Sequence, residues 1–123
     1  MAHILIVDDQ PDIRAVLRLR LEYADHTVEE AENGREGMEK TLANAYDLVL
    51  FDMHMPVMDG SEAVVALRQQ GYTGCIVAVT AGAISRDEPR AMFGGCDALI
   101  FKPVGEDFEE RIDEILQKNG YGK

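Results

Sequence analysis

The chain has 123 residues, enough for one domain with a real core, and 46% of them are hydrophobic. Its net charge of -11, from 23 acidic against 12 basic residues, argues against a domain that grips a nucleic acid backbone, which needs clustered Lys and Arg. No apolar run approaches the roughly 20 residues of a membrane span and no secretory leader pattern opens the chain, so a cytoplasmic protein with no membrane insertion is expected.

The first apolar run, His3 to Val7, is closed by Asp8 and Asp9. Pro11 then stands near the start of a helix in which Ile13, Val16, Leu17 and Leu21 recur at helical spacing. A second strand runs from Thr27 to Ala31 and ends at the turn pair Asn33-Gly34. A helix follows over about 35–42, weakened by Gly37. The run Leu48 to Phe51 is closed by Asp52, and the run Cys75 to Val79 by Thr80. In the next stretch Ser85 suits a helix cap, but Pro89 removes a backbone donor and Gly94 follows, so this helix is expected to be short, late-starting or mobile. The last strand, Ala98 to Phe101, is closed by Lys102 and Pro103, with a cis peptide as one way to make that abrupt exit. The final helix carries Phe108, Ile112, Ile115 and Leu116 on one face and should end near Asn119-Gly120.

This alternation of short strands and helices implies βαβ units, a parallel sheet and helices on both of its faces. No linker or low-complexity stretch divides the chain, so residues 1–123 read as a single domain. Cys75 and Cys96 are too far apart for a redox pair or half a zinc site and read as reduced core residues.

The carboxyl ends of parallel strands are where ligands bind in open α/β sheets. Here they gather Asp8, Asp9, Asp52, Thr80 and Lys102. Taken singly, an acid at a strand end caps a helix or faces solvent, and a threonine is an ordinary strand residue; the combination is what points to chemistry. Three converging carboxylates repel, so either their acidities shift or a divalent cation neutralises them. A donor set of oxygens alone favours Mg²⁺, with Mn²⁺ as substitute, over zinc. Such a cation beside a lysine and a hydroxyl suits phosphoryl transfer, with one carboxylate as the nucleophile that forms an acyl phosphate. A dinucleotide enzyme is excluded, because the first turn reads Asp8-Asp9-Gln10-Pro11-Asp12 and lacks the needed glycines.

The acidic pair after Val7, the segment Asp52-Met53-His54-Met55-Pro56-Val57-Met58-Asp59-Gly60, the pair Thr80-Ala81 and the pair Lys102-Pro103 together resemble the receiver domains of two-component response regulators, over essentially the whole chain. The resemblance implies a flavodoxin-like doubly wound (βα)5 three-layer sandwich with strand order 2-1-3-4-5. It makes Asp52 the phosphoacceptor, Asp9 a direct Mg²⁺ ligand, Asp8 an outer ligand and the main-chain carbonyl of His54 a further ligand. Thr80 and Lys102 would hold the phosphoryl group, while Pro56, Gly60 and Pro103 shape the site. A histidine kinase or phosphotransfer domain would be the donor. A downstream protein or a fused output domain would read the fourth helix, fifth strand and fifth helix, and the chain would not be a conventional turnover enzyme. Two departures stand out: Leu99 replaces the usual switch aromatic, leaving Phe101 on the same strand face as a substitute, and the His54 side chain stands where phosphoryl lifetime is tuned. The alternatives are a receiver-like module that signals by binding alone and an Mg²⁺-dependent phosphohydrolase with an aspartate nucleophile.

Overall fold

Each of the five expected strands is present: β1 (His3–Val7), β2 (Thr27–Ala31), β3 (Leu48–Asp52), β4 (Ile76–Thr80) and β5 (Ala98–Phe101). The structure, a computed structural model, describes residues 2–53, 55, 58, 60–80 and 95–120. Neighbouring strands are all parallel, in the order β2-β1-β3-β4-β5, the order that the resemblance implied. The helices among the described residues are α1 (Pro11–Tyr23), α2 (Gly34–Ala43), α3 (Gly60–Gln69) and α4 (Phe108–Lys118), the last belonging to the fifth βα unit. The helix expected around Ser85 and Pro89 lies outside the described residues. No described helix is long and apolar enough to cross a membrane.

Successive strand residues point to opposite faces, so near-continuous apolar strands supply two cores. Ile4, Ile6, Leu48, Leu50, Val77, Val79 and Ile100 pack with Leu17 and Leu21 of α1 and with Phe108, Ile112, Ile115 and Leu116 of α4. Leu5, Val7, Val49, Phe51, Ile76 and Ala78 pack on the other side with Ala63, Val64 and Leu67 of α3 and with Met38 of α2. The outcome is a three-layer sandwich in which truncating a residue such as Leu50 to Ala would cost roughly 2–5 kcal/mol.

Pro11 opens α1, where its missing N–H costs nothing. The buried stripe of α1 is Leu17 and Leu21 with Ile13 packed against it, whereas Val16 is 51% exposed. Helical spacing included Val16, but a helix on a flat sheet buries a narrower stripe. Arg20 joins α1 to α4, with Nε donating to Glu109 Oε2 at 2.8 Å and the guanidinium 5.2 Å from the Phe108 ring.

Asn33 caps α2, its Oδ1 accepting from the Glu36 N–H at 2.9 Å. Gly37 weakens this helix in propensity, yet a Cβ there would stand 2.6 and 2.7 Å from the two Val7 methyls. The glycine is therefore what lets α2 lie against the end of β1. Cys75 is buried and Cys96 half-buried, both as free thiols, and burial pushes them up to about 12 and about 11.

Candidate functional site

The strand register sets the site. Val7 lies beside Ala31 on one side and Phe51 on the other, Asp52 lies opposite Val79, and Thr80 opposite Phe101. The carboxyl ends of β1, β3, β4 and β5 are thus side by side, and the polar residues that close these apolar runs are delivered to one edge. Asp8 is 1%, Asp52 5% and Thr80 0% exposed, so these polar groups are enclosed by the fold.

One carboxylate oxygen from each of Asp8, Asp9 and Asp52 lies within 4.8 Å of the others. Lys102 enters from the loop after β5: its Nζ donates to Asp8 Oδ2 at 2.8 Å and to Asp52 Oδ2 at 3.3 Å. Burial works against the Lys102 ammonium, but the hydrogen bond to Asp8 and the charges of Asp52 and Asp8 outweigh it and hold its pKa above the ordinary value. The Lys102 N–H is anchored on the Thr80 carbonyl at 2.8 Å, and the peptide to Pro103 is cis.

Asp8 is held at every polar atom. Its N–H donates to the Ala31 carbonyl at 3.1 Å, Oδ1 accepts from the Gln10 N–H at 2.8 Å, and Oδ2 accepts from Lys102. Its carbonyl accepts from Arg14 Nη1 at 2.7 Å, and Arg14 Nε in turn donates to Glu30 Oε1 at 3.0 Å. Arg14 and Glu30 escaped the reading of the sequence, because a contact between α1 and β2 leaves no spacing pattern. Six residues after Asp8, an arginine on the first helix was the only signal.

Gly60, the first residue of α3, has no room for a side chain: a Cβ would collide with the Asp52 carbonyl and the Met53 methyl. It lets α3 begin directly over the end of β3. Leu99 packs partly buried against the α2 and α3 side of the sheet, while Phe101, on the same strand two residues later, is 52% exposed. Neither belongs to the acidic cluster. His54 and Pro56 lie outside the described residues.

The described residues bring together Asp8, Asp9, Asp52 and Lys102, with Thr80 on the adjoining strand end. As a donor set the cluster offers carboxylate oxygens alone, which suits a hard cation such as Mg²⁺ or Mn²⁺ and not zinc. The residues present fit that group.

A family profile described as the response regulator receiver domain matches residues 4–117. The chain is 38% identical over 122 residues to the two-component response regulator ORR41 of Oryza sativa subsp. japonica, with 96% of this chain and 94% of that protein covered. It is 35% identical over 115 residues to the response regulator ArlR of Staphylococcus saprophyticus, with 94% of this chain but 51% of that protein covered, so it spans about half the length of that relative. The response regulator protein TrrA of Thermotoga maritima, solved in complex with Mg(2+)-BeF, has a TM-score of 0.83 at 29% identity, covering 94% of this chain and 99% of that one.

Proposed function

The chain belongs to the response regulator receiver domain family of two-component systems, and from that premise we propose that it takes a phosphoryl group from a phosphohistidine donor onto Asp52 in an Mg²⁺-dependent reaction. The observation that carries this reading is the meeting of three carboxylates within 4.8 Å with the Lys102 ammonium 3.3 Å from Asp52. The whole chain acts as one receiver unit. Asp9 and Asp52 would hold Mg²⁺ directly, Asp8 would hold it through water, and the main-chain carbonyl of His54 would complete the protein's share. The cation would supply electrostatic compensation for the oxygens of the transferring group.

A carboxylate oxygen of Asp52 attacks phosphorus, the P–N bond of the phosphohistidine breaks, and the imidazole leaves after taking a proton. Lys102 then pairs with the phosphoryl oxygens and Thr80 donates its hydroxyl to them, so charge formerly held between Asp8 and Asp52 is redistributed toward the acyl phosphate. Hydrolysis breaks the acyl phosphate, water supplying the new oxygen, and releases inorganic phosphate and the Asp52 carboxylate. About two negative charges added at Asp52 shift the population of the fourth helix, fifth strand and fifth helix toward a form that a partner selects. Leu99 and Phe101 carry that rearrangement in place of an inward-swinging aromatic, and the protein works in the cytoplasm with a histidine kinase or phosphotransfer domain. TrrA, similar over nearly its full length, was solved in complex with Mg(2+)-BeF, which supports assigning the same chemistry here.

The test is intact-protein mass after incubation with Mg²⁺ and acetyl phosphate or phosphoramidate, with Asp52→Asn and EDTA as controls. A gain of one phosphoryl group, absent in both controls, is expected. No gain by a folded protein with either donor would point to a module that signals by binding alone.

A further inference from the structure

Asp9 and Asp8 share a peptide group whose carbonyl belongs to Asp8 and whose N–H belongs to Asp9. The plane of that group sets the direction in which the Asp9 side chain leaves the turn. On its carbonyl side the plane is held by Arg14 Nη1 at 2.7 Å. Arg14 does not act from solvent: its side chain is 12% exposed, and Nε is fixed on Glu30 Oε1 at 3.0 Å. Glu30 is itself clamped, with Oε2 accepting from Arg18 Nη1 at 2.6 Å and its carbonyl accepting from Lys40 Nζ at 2.6 Å. The hydrogen bond from Arg18, and beyond the opposing effect of burial that from Arg14, hold the Glu30 carboxyl below its ordinary range. The clamp therefore remains charged at neutral pH. A chain of fixed contacts thus runs from β2 and α2 through one guanidinium to the turn that carries the acidic pair.

We propose that Arg14, braced by Glu30, is a positioning residue that fixes the Asp8-Asp9 peptide plane and so aims the Asp9 carboxylate at a divalent cation; this rests on the reading of Asp9 as a cation ligand. A planar guanidinium is suited to this role, since it spans two acceptors in a fixed fork where an ammonium is a single flexible point of charge. Groups that orient a metal ligand from behind typically change metal affinity by roughly 10–100-fold when removed.

The experiment is calorimetric titration of Mg²⁺ into the metal-free chain and into its Arg14→Met, Arg14→Lys, Glu30→Gln and Asp9→Asn variants, with amide spectra of the metal-free proteins. Arg14→Met should raise the Mg²⁺ Kd about tenfold and move the Asp9 amide resonance before any metal is added. Arg14→Lys should weaken binding to a similar degree despite its retained charge. Glu30→Gln should act in the same direction but less, and its combination with Arg14→Met should be no worse than Arg14→Met alone. Wild-type affinity with an unmoved Asp9 amide in Arg14→Met would overturn the proposal, as would full rescue by Lys, which would assign the effect to charge alone. If Arg14→Met does not fold, Glu30→Gln decides the matter by the same two readouts. If the wild-type chain binds Mg²⁺ no more tightly than Asp9→Asn, the assignment of Asp9 itself fails and the positioning role falls with it.

Discussion

The two ends of the sheet treat acidic residues in opposite ways. Toward the amino-terminal edge Asp47, Asp97 and Glu29 tie backbone or side-chain donors in place. Asp47 Oδ2 accepts from the His3 N–H at 2.8 Å, and Asp97 Oδ2 accepts from the Ile76 N–H at 2.8 Å and Arg68 Nη2 at 3.1 Å. Glu29 takes His3 Nε2 at 2.7 Å and the Tyr46 hydroxyl at 3.1 Å. Burial and then the bond to Glu29 push the Tyr46 phenol up to about 12. Arg68 further donates to the carbonyls of Gly95, Tyr72 and Gly74, closing the bottom of the β4 and β5 region. At the carboxyl-terminal edge three carboxylates crowd within 4.8 Å, and Lys102 is the one cation in salt-bridge contact with them among the described residues. Pairing acids with backbone donors and cations one by one builds structure, whereas gathering three carboxylates at one edge makes a cluster whose chemistry suits a cation.

The largest effect that separates the two edges should be on cation binding. Asp9→Asn is expected to weaken Mg²⁺ by more than about 100-fold, since even groups behind a ligand cost roughly 10–100-fold. Asp97→Asn should leave Mg²⁺ affinity unchanged in the same titration. Equal losses in the two variants would erase the distinction.

Next in size is Lys102→Met in the metal-free chain. Removing the cation takes the ammonium partner from each of the enclosed Asp8 and Asp52 carboxylates, and breaking a buried ion pair from one side costs about 3 kcal/mol or more. Urea unfolding at neutral pH measures this, and Mg²⁺ should restore part of the loss by binding only the folded state. The Lys102 pKa is raised above its ordinary 10.5, burial opposing and the bond to Asp8 leading the gain. Its contribution is therefore complete below that ordinary value and is lost as pH rises through the raised one. The gap between wild type and variant should be flat around neutrality and shrink in strong alkali. At the opposite edge, Asp97→Ala removes the acceptor of the Ile76 N–H and the carboxylate facing Arg68, with an expected loss of about 2 kcal/mol and no change in Mg²⁺ affinity.

Most of the candidate site was legible because it depends on strand ends, and strand ends follow from where an apolar run meets a polar residue. Asp8, Asp9, Asp52, Thr80 and Lys102 were all expected at one edge that way and do gather there, the same logic placed β5 at Ala98–Phe101, and the turn pair Asn33-Gly34 closed the β2 reading at Thr27–Ala31. The brace behind them was not legible. Arg14 and Glu30 meet only after α1 has folded across the end of β2, and Glu30 stands in a strand where an acid looks like a solvent-facing residue. Val16 misled for a related reason, since periodicity marks an apolar stripe without its width, and Val16 lines a groove with Pro103 and Val104 at the margin of the core. Phe101 shares its strand face with Leu99 as alternation requires, but depth along the strand separates them: Leu99 packs on the core and Phe101 is largely open.

The smallest expected effect concerns Gly37, where local and tertiary preferences disagree. Helix propensity alone says that Gly37→Ala stabilises α2 by about 1 kcal/mol. The new methyl would instead meet the Val7 methyls at 2.6 and 2.7 Å and the Phe51 ring at 3.1 Å, inside a packed core. Overfilling such a site costs roughly 1–3 kcal/mol, so the balance should be a net loss of about 1 kcal/mol. Val7 is the residue before Asp8, and relief of the clash requires β1 to shift away from α2. The Asp8-Asp9 turn should then be disturbed, and Gly37→Ala should weaken Mg²⁺ binding severalfold although it lies on neither side of the cluster. A gain in stability with unchanged Mg²⁺ affinity would mean that the sheet yields without moving the turn, and that the functional edge is held less tightly than its contacts imply.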